Sequence, residues 1–310
     1  AEVASDISAS PDASATSLGL TTTGADPSPS GDYRNGVWAQ VVGGSGHIAA
    51  SADSSKTTYD WGGVVSGYDM ALSPDLTLGA FFGYIRGKSE QSDVSSSVDT
   101  DTLVAGMYGE YRVEDWRANA QLSWSRVGAE SSRDITVGSF ARTAEADYTD
   151  QTLSVSGEIA RAFPLDGDVW MEPYVGAGAA EQFLGSFSET GAGAANLGRD
   201  SDTALTSHAI VGLRLSTDLK LNDDTRVMPQ FGLAWKRNFG NLANSSTLHF
   251  TSGSSDFVVS GTPEDRNTAI FKIGGAATFG DDWKAFASYD PSVSSNRTEH
   301  SFVIGARYEW

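Results

Sequence analysis

The chain has 310 residues, with 34 Gly, 9 Pro, no Cys and a net charge of −19. This length allows one large all-β domain or two ordinary ones, and the Gly-to-Pro balance favours many turns and bends in one sheet over a collagen-like or Pro-rich chain. The absence of cysteine excludes a disulfide scaffold and a thiolate metal site, the acidic balance argues against nucleic acid as a partner, and no run of about 18 apolar residues offers a membrane helix. A negative mean hydropathy does not argue against a membrane protein built of strands, since only every second strand residue meets lipid.

At the N-terminus no charged leader followed by an apolar stretch is found, so a mature form or an excised domain is expected. Residues 1–35 are rich in Ser, Ala, Thr and Gly and contain Pro11, Pro27 and Pro29. The later prolines and Gly31 disfavour helix over residues 25–31, which leaves at best a short helix between Pro11 and Leu20, capped by Ser10 or Asp12. Twenty such residues in extended form cover about 65 Å, more than the roughly 40–45 Å of a bilayer with its headgroups.

From residue 36 onward apolar and polar residues alternate. The alternation predicts twelve strands, at 36–47, 58–71, 76–87, 100–113, 116–128, 147–163, 168–183, 202–219, 225–238, 266–279, 283–291 and 300–310. Trp116, Ala118, Ala120, Leu122 and Trp124, interleaved with Arg117, Asn119, Gln121, Ser123 and Ser125, give the clearest two-faced strand. The even-to-odd connections are short and turn-like, as at Ser73-Pro74-Asp75, Glu114-Asp115 and Gly280-Asp281-Asp282. The odd-to-even connections are longer and polar, the longest running over residues 239–265. The last strand alternates Phe302, Ile304, Ala306, Tyr308 and Trp310 with Ser301, Val303, Gly305, Arg307 and Glu309. Two-faced strands with loops sorted by length predict a transmembrane antiparallel up-and-down β-barrel, with the short turns and both termini at its periplasmic end. A soluble sandwich has no reason to sort its loops in this way. Trp38, Trp116, Trp170, Trp283 and Trp310 all fall near the short-turn end, where an aromatic belt would lie at headgroup level.

The opening Gly36-Val37-Trp38-Ala39-Gln40-Val41-Val42-Gly43-Gly44, then Gly67-Tyr68-Asp69, Leu78-Gly79-Ala80-Phe81-Phe82-Gly83-Tyr84 and the closing strand from His300 to Trp310 together resemble the translocator β-domain of classical autotransporters, the type V secretion proteins. The resemblance covers residues 36–310. It implies a twelve-stranded outer-membrane barrel that secretes or displays an N-terminal passenger at the cell surface. Residues 1–35 would be the linker or passenger stub in the lumen, and no Asn precedes Asn35 to support self-cleavage there. The resemblance further implies insertion by the outer-membrane β-barrel assembly machinery, read from Phe302, Ile304, Tyr308 and Trp310. Outer-membrane lipid and lipopolysaccharide would surround a monomer.

Strand parity assigns Glu110, Arg112, Arg117, Glu158, Glu172, Arg214, Lys236, Lys272, Lys284, Arg307 and Glu309 to the polar, lumen-lining face. Two readings of these charges are compatible: a hydrated lining for a linker, or a salt-bridged plug that holds the barrel open. Enzyme signatures are absent. His47, His208, His249 and His300 form no zinc pair, no Gly-x-Ser-x-Gly elbow occurs, and Gly44-Ser45-Gly46-His47 reads as the start of a Gly-rich loop. Asp99/Asp101 and Asp200/Asp202 are loop-solvating acids, with a divalent ion bridging to acidic lipid as the sharper alternative. No cofactor or metal is expected. The other functional readings are a small resident channel, in which residues 1–35 are only a periplasmic tail, and a soluble β-sandwich adhesin.

Overall fold

The computed structural model describes residues 34–310 apart from residues 52–53, 166–167, 241, 243–244 and 254. The expected linker, residues 1–35, lies outside the described residues except for Arg34 and Asn35. Alternation of side chains produces twelve long strands: β1 (Gly36–Ile48), β2 (Thr57–Ser73), β3 (Leu76–Gln91), β4 (Ser96–Val113), β5 (Trp116–Val137), β6 (Phe140–Arg161), β7 (Val169–Leu184), β8 (Asp202–Thr217), β9 (Thr225–Phe239), β10 (Asn267–Phe279), β11 (Trp283–Val293) and β12 (Arg297–Glu309). Each pairs antiparallel with its chain neighbours, and β12 closes onto β1 in an unbroken ladder from Gly36↔Glu309 to Ile48↔Arg297. Closure satisfies the backbone groups of every strand, which a sheet surrounded by hydrocarbon requires. The number and order of strands are those the alternation predicts.

The strand ends depart from the prediction most at β5 and β6. These strands are 22 residues each and pair continuously from Trp116↔Arg161 to Val137↔Phe140. Residues 129–146, expected as a long loop, are therefore the outer half of a hairpin that overshoots the barrel. Its turn is only Gly138 and Ser139, with Gly138 at φ 60°, the left-handed angle that a two-residue hairpin needs and glycine supplies without strain. The composition of this stretch is polar with small residues, Ala129, Ala144 and Ala146, buried on its inner face, a pattern that composition alone does not separate from loop. The connections 92–95 and 294–296 are also short, so the outer end owes its bulk to the overshooting hairpin and to two long connections, 185–201 and 240–266, and not to every loop.

Large apolar side chains project outward around the whole circumference. Phe82, Met107 and Ile304 are 57%, 60% and 60% exposed. Leaving such groups in water forfeits about 1.5–3 kcal/mol each, so a continuous band of them specifies hydrocarbon as the surrounding medium. No helix among the described residues is long and apolar enough to cross a membrane, and the crossing is made by strands.

Candidate functional site

Successive strand residues alternate between lipid and interior, so the site is the inner wall and its two ends. On β5 to β8, four of the parity-assigned charges meet. Arg214 donates to Glu158 at 2.5 Å and to Glu172 at 2.7 Å, Arg117 donates to Glu172 at 2.6 Å, and Arg117 lies 3.9 Å from Glu158. Signs alternate around the group and sum to zero. Arg214 also stacks 3.8 Å from the centre of the Tyr174 ring, which lies over Gly212, where any Cβ would collide with it. Two arginines with two carboxylates and an aromatic face give the dense hydrogen bonding that buried charges need in order to be tolerated.

A second group forms where the barrel closes, at the short-turn end. Glu309 accepts from Arg307 Nε at 2.6 Å and lies 3.0 Å from Lys284 Nζ, and Arg307 Nη1 pairs with Asp69 of β2. Glu110 and Arg112 form a separate pair at 2.7 Å. Lys272 lies 3.4 Å from Asp290. Lys236 lines a small cavity of about 120 Å³ near the opposite end, with His208, Asn238, Asp265 and Asp290 among its walls. The eleven parity-assigned charges thus fall into several groups instead of one continuous lining. Sequence reading missed Asp69 and Asp290 as their partners. Both stand at inward parity, but Asp69 was noticed only as part of Gly67-Tyr68-Asp69.

The opposite part of the inner wall corrects the expectation of a uniformly polar lining. Val42, Val65, Phe81, Ile85, Val104 and Val303 are buried together there, with Trp38, Tyr108 and Phe286 packed against them. Trp38 is a second correction. It lies at the height of the expected belt but on the inner face, over Gly67, with its Nε1 donating to Tyr108 Oη at 2.7 Å. Trp170 shares inward parity with Glu172. Height along a strand follows from sequence position, but a belt also requires the outward face, which Trp116, Trp283 and Trp310 take at 46%, 54% and 49% exposure.

Phe302, Ile304, Tyr308 and Trp310 form one outward stripe on β12. Tyr308 is half-buried between Trp283 and Trp310, at ring separations of 5.1 Å and 5.9 Å, and Tyr68 lies 6.1 Å from Trp310. These four rings from three strands straddle the closure. Ser45 and His47 lie within β1 and not in a loop, both at outward parity, and the four histidines do not converge. His300 is held by Tyr289, ring Nδ1 to Oη at 2.6 Å.

Beyond the far end of the barrel, a small sheet of Phe187–Ser188, Leu197–Arg199, Ser245–Phe250 and Phe257–Ser260 stands beside the overshooting hairpin. It shares an apolar cluster with inward-facing Val98, Ala129, Ala146 and Tyr148, centred on the fully buried Leu248, so the sheet leans over the mouth as a dome. Arg133 grips Glu189 with two nitrogens, at 2.6 Å and 3.2 Å. Arg199 donates to the Gly185 carbonyl at 2.7 Å and to Asp150 at 3.3 Å, with its guanidinium 5.2 Å from both the Tyr148 and Phe187 rings. Arg199→Ala removes this tie and leaves Asp150 without its cation, a local cost of about 3 kcal/mol. The expected outcome is new protease cleavage within residues 185–201 or 245–260 of the detergent-solubilised barrel, with the barrel strands still protected. An unchanged digest would mean that the Leu248 cluster holds the dome without it.

Comparison with known proteins gives the same architecture. The family model for the autotransporter beta-domain matches residues 37–290. An extracellular serine protease of Serratia marcescens is 27% identical over 280 residues, which is 89% of this chain and 26% of that protein, and a second of the same description is 28% identical over 281 residues. The chain therefore spans about a quarter of the length of these curated relatives. Among solved structures, the translocator domain of the autotransporter NalP from Neisseria meningitidis superposes with a TM-score of 0.75 at 18% identity, covering 100% of this chain and 99% of that one. The β-domain of the Bordetella autotransporter BrkA superposes with a TM-score of 0.70 at 19% identity, over 90% of this chain and 100% of that one.

Proposed function

We propose the following for this chain, which belongs to the autotransporter β-domain family and is an outer-membrane translocator: residues 1–35 thread the lumen and join the barrel to an N-terminal passenger, which they carry to the cell surface. The observation that carries this reading is the position of the two ends of the barrel. Arg34 is held at the short-turn, periplasmic rim by Asp282 at 2.8 Å, and Trp310 N donates to the Asn35 carbonyl at 3.0 Å on the same rim. A passenger on the outer side must then be joined to Arg34 by chain that crosses the membrane, and the lumen offers a path free of hydrocarbon. That the Serratia relatives are extracellular serine proteases, and that this chain spans only about a quarter of each, supports an enzyme as passenger and no chemistry for the barrel itself.

The C-terminal stripe of Phe302, Ile304, Tyr308 and Trp310 is read by the barrel assembly machinery, a role supported by its shared outward parity on the closing strand and by the exposure of Phe302, Ile304 and Trp310. The inward charges on β5 to β8 hold that side of the barrel open while cancelling one another. Outward-facing Arg126 beyond the apolar band supports lipopolysaccharide phosphates as neighbours on the outer side, where Arg86 and Lys88 are paired with Asp101 at 2.9 Å and Glu90 at 2.6 Å.

The deciding experiment places an epitope before Ala1 and probes intact cells with antibody and protease. Exposure of the tag supports the threaded translocator; protection until the envelope is opened would leave a resident barrel with a periplasmic tail. Deleting residues 1–33 is expected to raise single-channel conductance in planar bilayers severalfold. An unchanged conductance would remove the segment from the lumen and favour the channel reading.

A further inference from the structure

We infer that Arg307 and Asp69 form a register clamp for barrel closure, an ion pair that reaches across the first strand and selects one alignment of β12 on β1. Eleven of the twelve strand junctions join strands that are consecutive in the chain, and most of these are closed by short turns that limit their register. The β12–β1 junction has no such connection. Its apolar pattern is also a weak guide: a slip of one residue would invert every side chain, but a slip of two returns each to its own face, so alternation alone does not oppose it. β1 adds one shape match, the Phe302 ring of β12 seated on Gly43, where a Cβ would lie 2.6 Å from it; its other small residues, Gly36, Ala39, Gly44 and Gly46, add little resistance.

Side chains that span β1 supply the missing information. Gly36 faces Glu309 on one side and Asp69 on the other. The Arg307 guanidinium passes directly over Gly36, where a Cβ would lie 2.8 Å from Nη2, and reaches the Asp69 carboxylate, which is 2% exposed. The same guanidinium donates through Nε to Glu309 at 2.6 Å and through Nη2 to the Arg34 carbonyl at 3.3 Å. One group therefore ties β12, β2 and the residue that leads into β1. A two-residue slip displaces Arg307 by about 7 Å relative to β1, beyond the reach of this pairing. At the other end of the seam, Tyr59 of β2 passes over Gly46 and donates its hydroxyl to Glu299 of β12 at 2.9 Å, a second bridge across the same strand.

The chain contains no cysteine, so engineered pairs report register without background. Ala39→Cys with Ala306→Cys forms a disulfide in the native alignment, because these residues face each other and point outward. Val41→Cys or Val37→Cys with Ala306→Cys reports a slip of two in either direction. The full chain is expressed in cells with an outer membrane and oxidised after insertion. Asp69→Asn with Arg307→Met, which leaves no orphan charge, combined with Tyr59→Phe, is expected to raise the ratio of slipped to native crosslink at least about tenfold, the scale of hydrogen bonds to charged groups. The exchanged pair Asp69→Arg with Arg307→Asp, in chains that keep Tyr59, is expected to restore the native crosslink. Native crosslinking alone in the neutralised variant would overturn the proposal. If that variant fails to insert, the exchanged pair decides: native crosslinking supports the clamp, and slipped crosslinking or failed insertion overturns it.

Discussion

Replacing Arg214 by methionine is expected to lower the stability of the folded barrel by about 3–5 kcal/mol, read as a fall in the temperature at which its compact band on cold gel electrophoresis is lost. Arg214 neutralises Glu158 and Glu172 at once, through contacts of 2.5 Å and 2.7 Å, and covers the Tyr174 ring. Its removal leaves two carboxylates facing Arg117 alone, and one negative charge uncompensated in a confined interior. Arg214→Lys is expected to recover only part of the loss, because an ammonium does not reproduce the forked geometry or the stacking. Glu158→Gln in the Arg214→Met background should recover more, since one charge on each side then remains. Equal stability of the single and double variants would show that water in the lumen screens the group.

The second large effect is expected from Tyr308→Ser with Trp310→Ser, as loss of outer-membrane insertion in cells. These rings pack with Trp283 and Tyr68 across the seam, so a purely structural role predicts equal loss in two settings: assembly in cells, and refolding of the purified chain into detergent. Recognition by an assembly machinery predicts a split, with refolding nearly intact and insertion lost at least tenfold. Loss in both would reduce the stripe to packing, and loss in neither would remove it from the account altogether.

The fold was legible in the sequence because a barrel strand states its two environments residue by residue. The strand count and the turns at Ser73-Pro74-Asp75 and Glu114-Asp115 followed from that alternation and from turn chemistry. What it left unread depends on contacts between distant parts of the chain. Trp38 was placed by its height along the strand, and only the register that sets it over Gly67 and beside Tyr108 shows that it faces inward. The inward apolar wall was missed for a related reason: Val42, Val65 and Val303 occupy positions that alternation marks as facing away from lipid without saying what else lies there. Partners such as Asp69 for Arg307 require the closing register. The outer hairpin is rich in small and polar residues, its inner face marked mainly by Ala129, Ala144 and Ala146, and the strands of the small sheet are only two to six residues long, so period and composition carried little strand signal.

The heights of the strands have a consequence for traffic. β5 runs for 22 residues and β11 for 11, a difference of about 36 Å along the strand and about 25–30 Å in height at the usual barrel tilt, and the dome adds further mass on the tall side. The mouth is therefore a spout and not a ring. A chain leaving it, as the threaded reading requires, would meet a wall of paired strands in one direction and a low rim in the other, where β11, β12 and β1 end early. On the threaded reading proposed above, export from this barrel would have a compass bearing: the emerging chain is expected to pass outward over the seam, beside that low lip and away from the tall side.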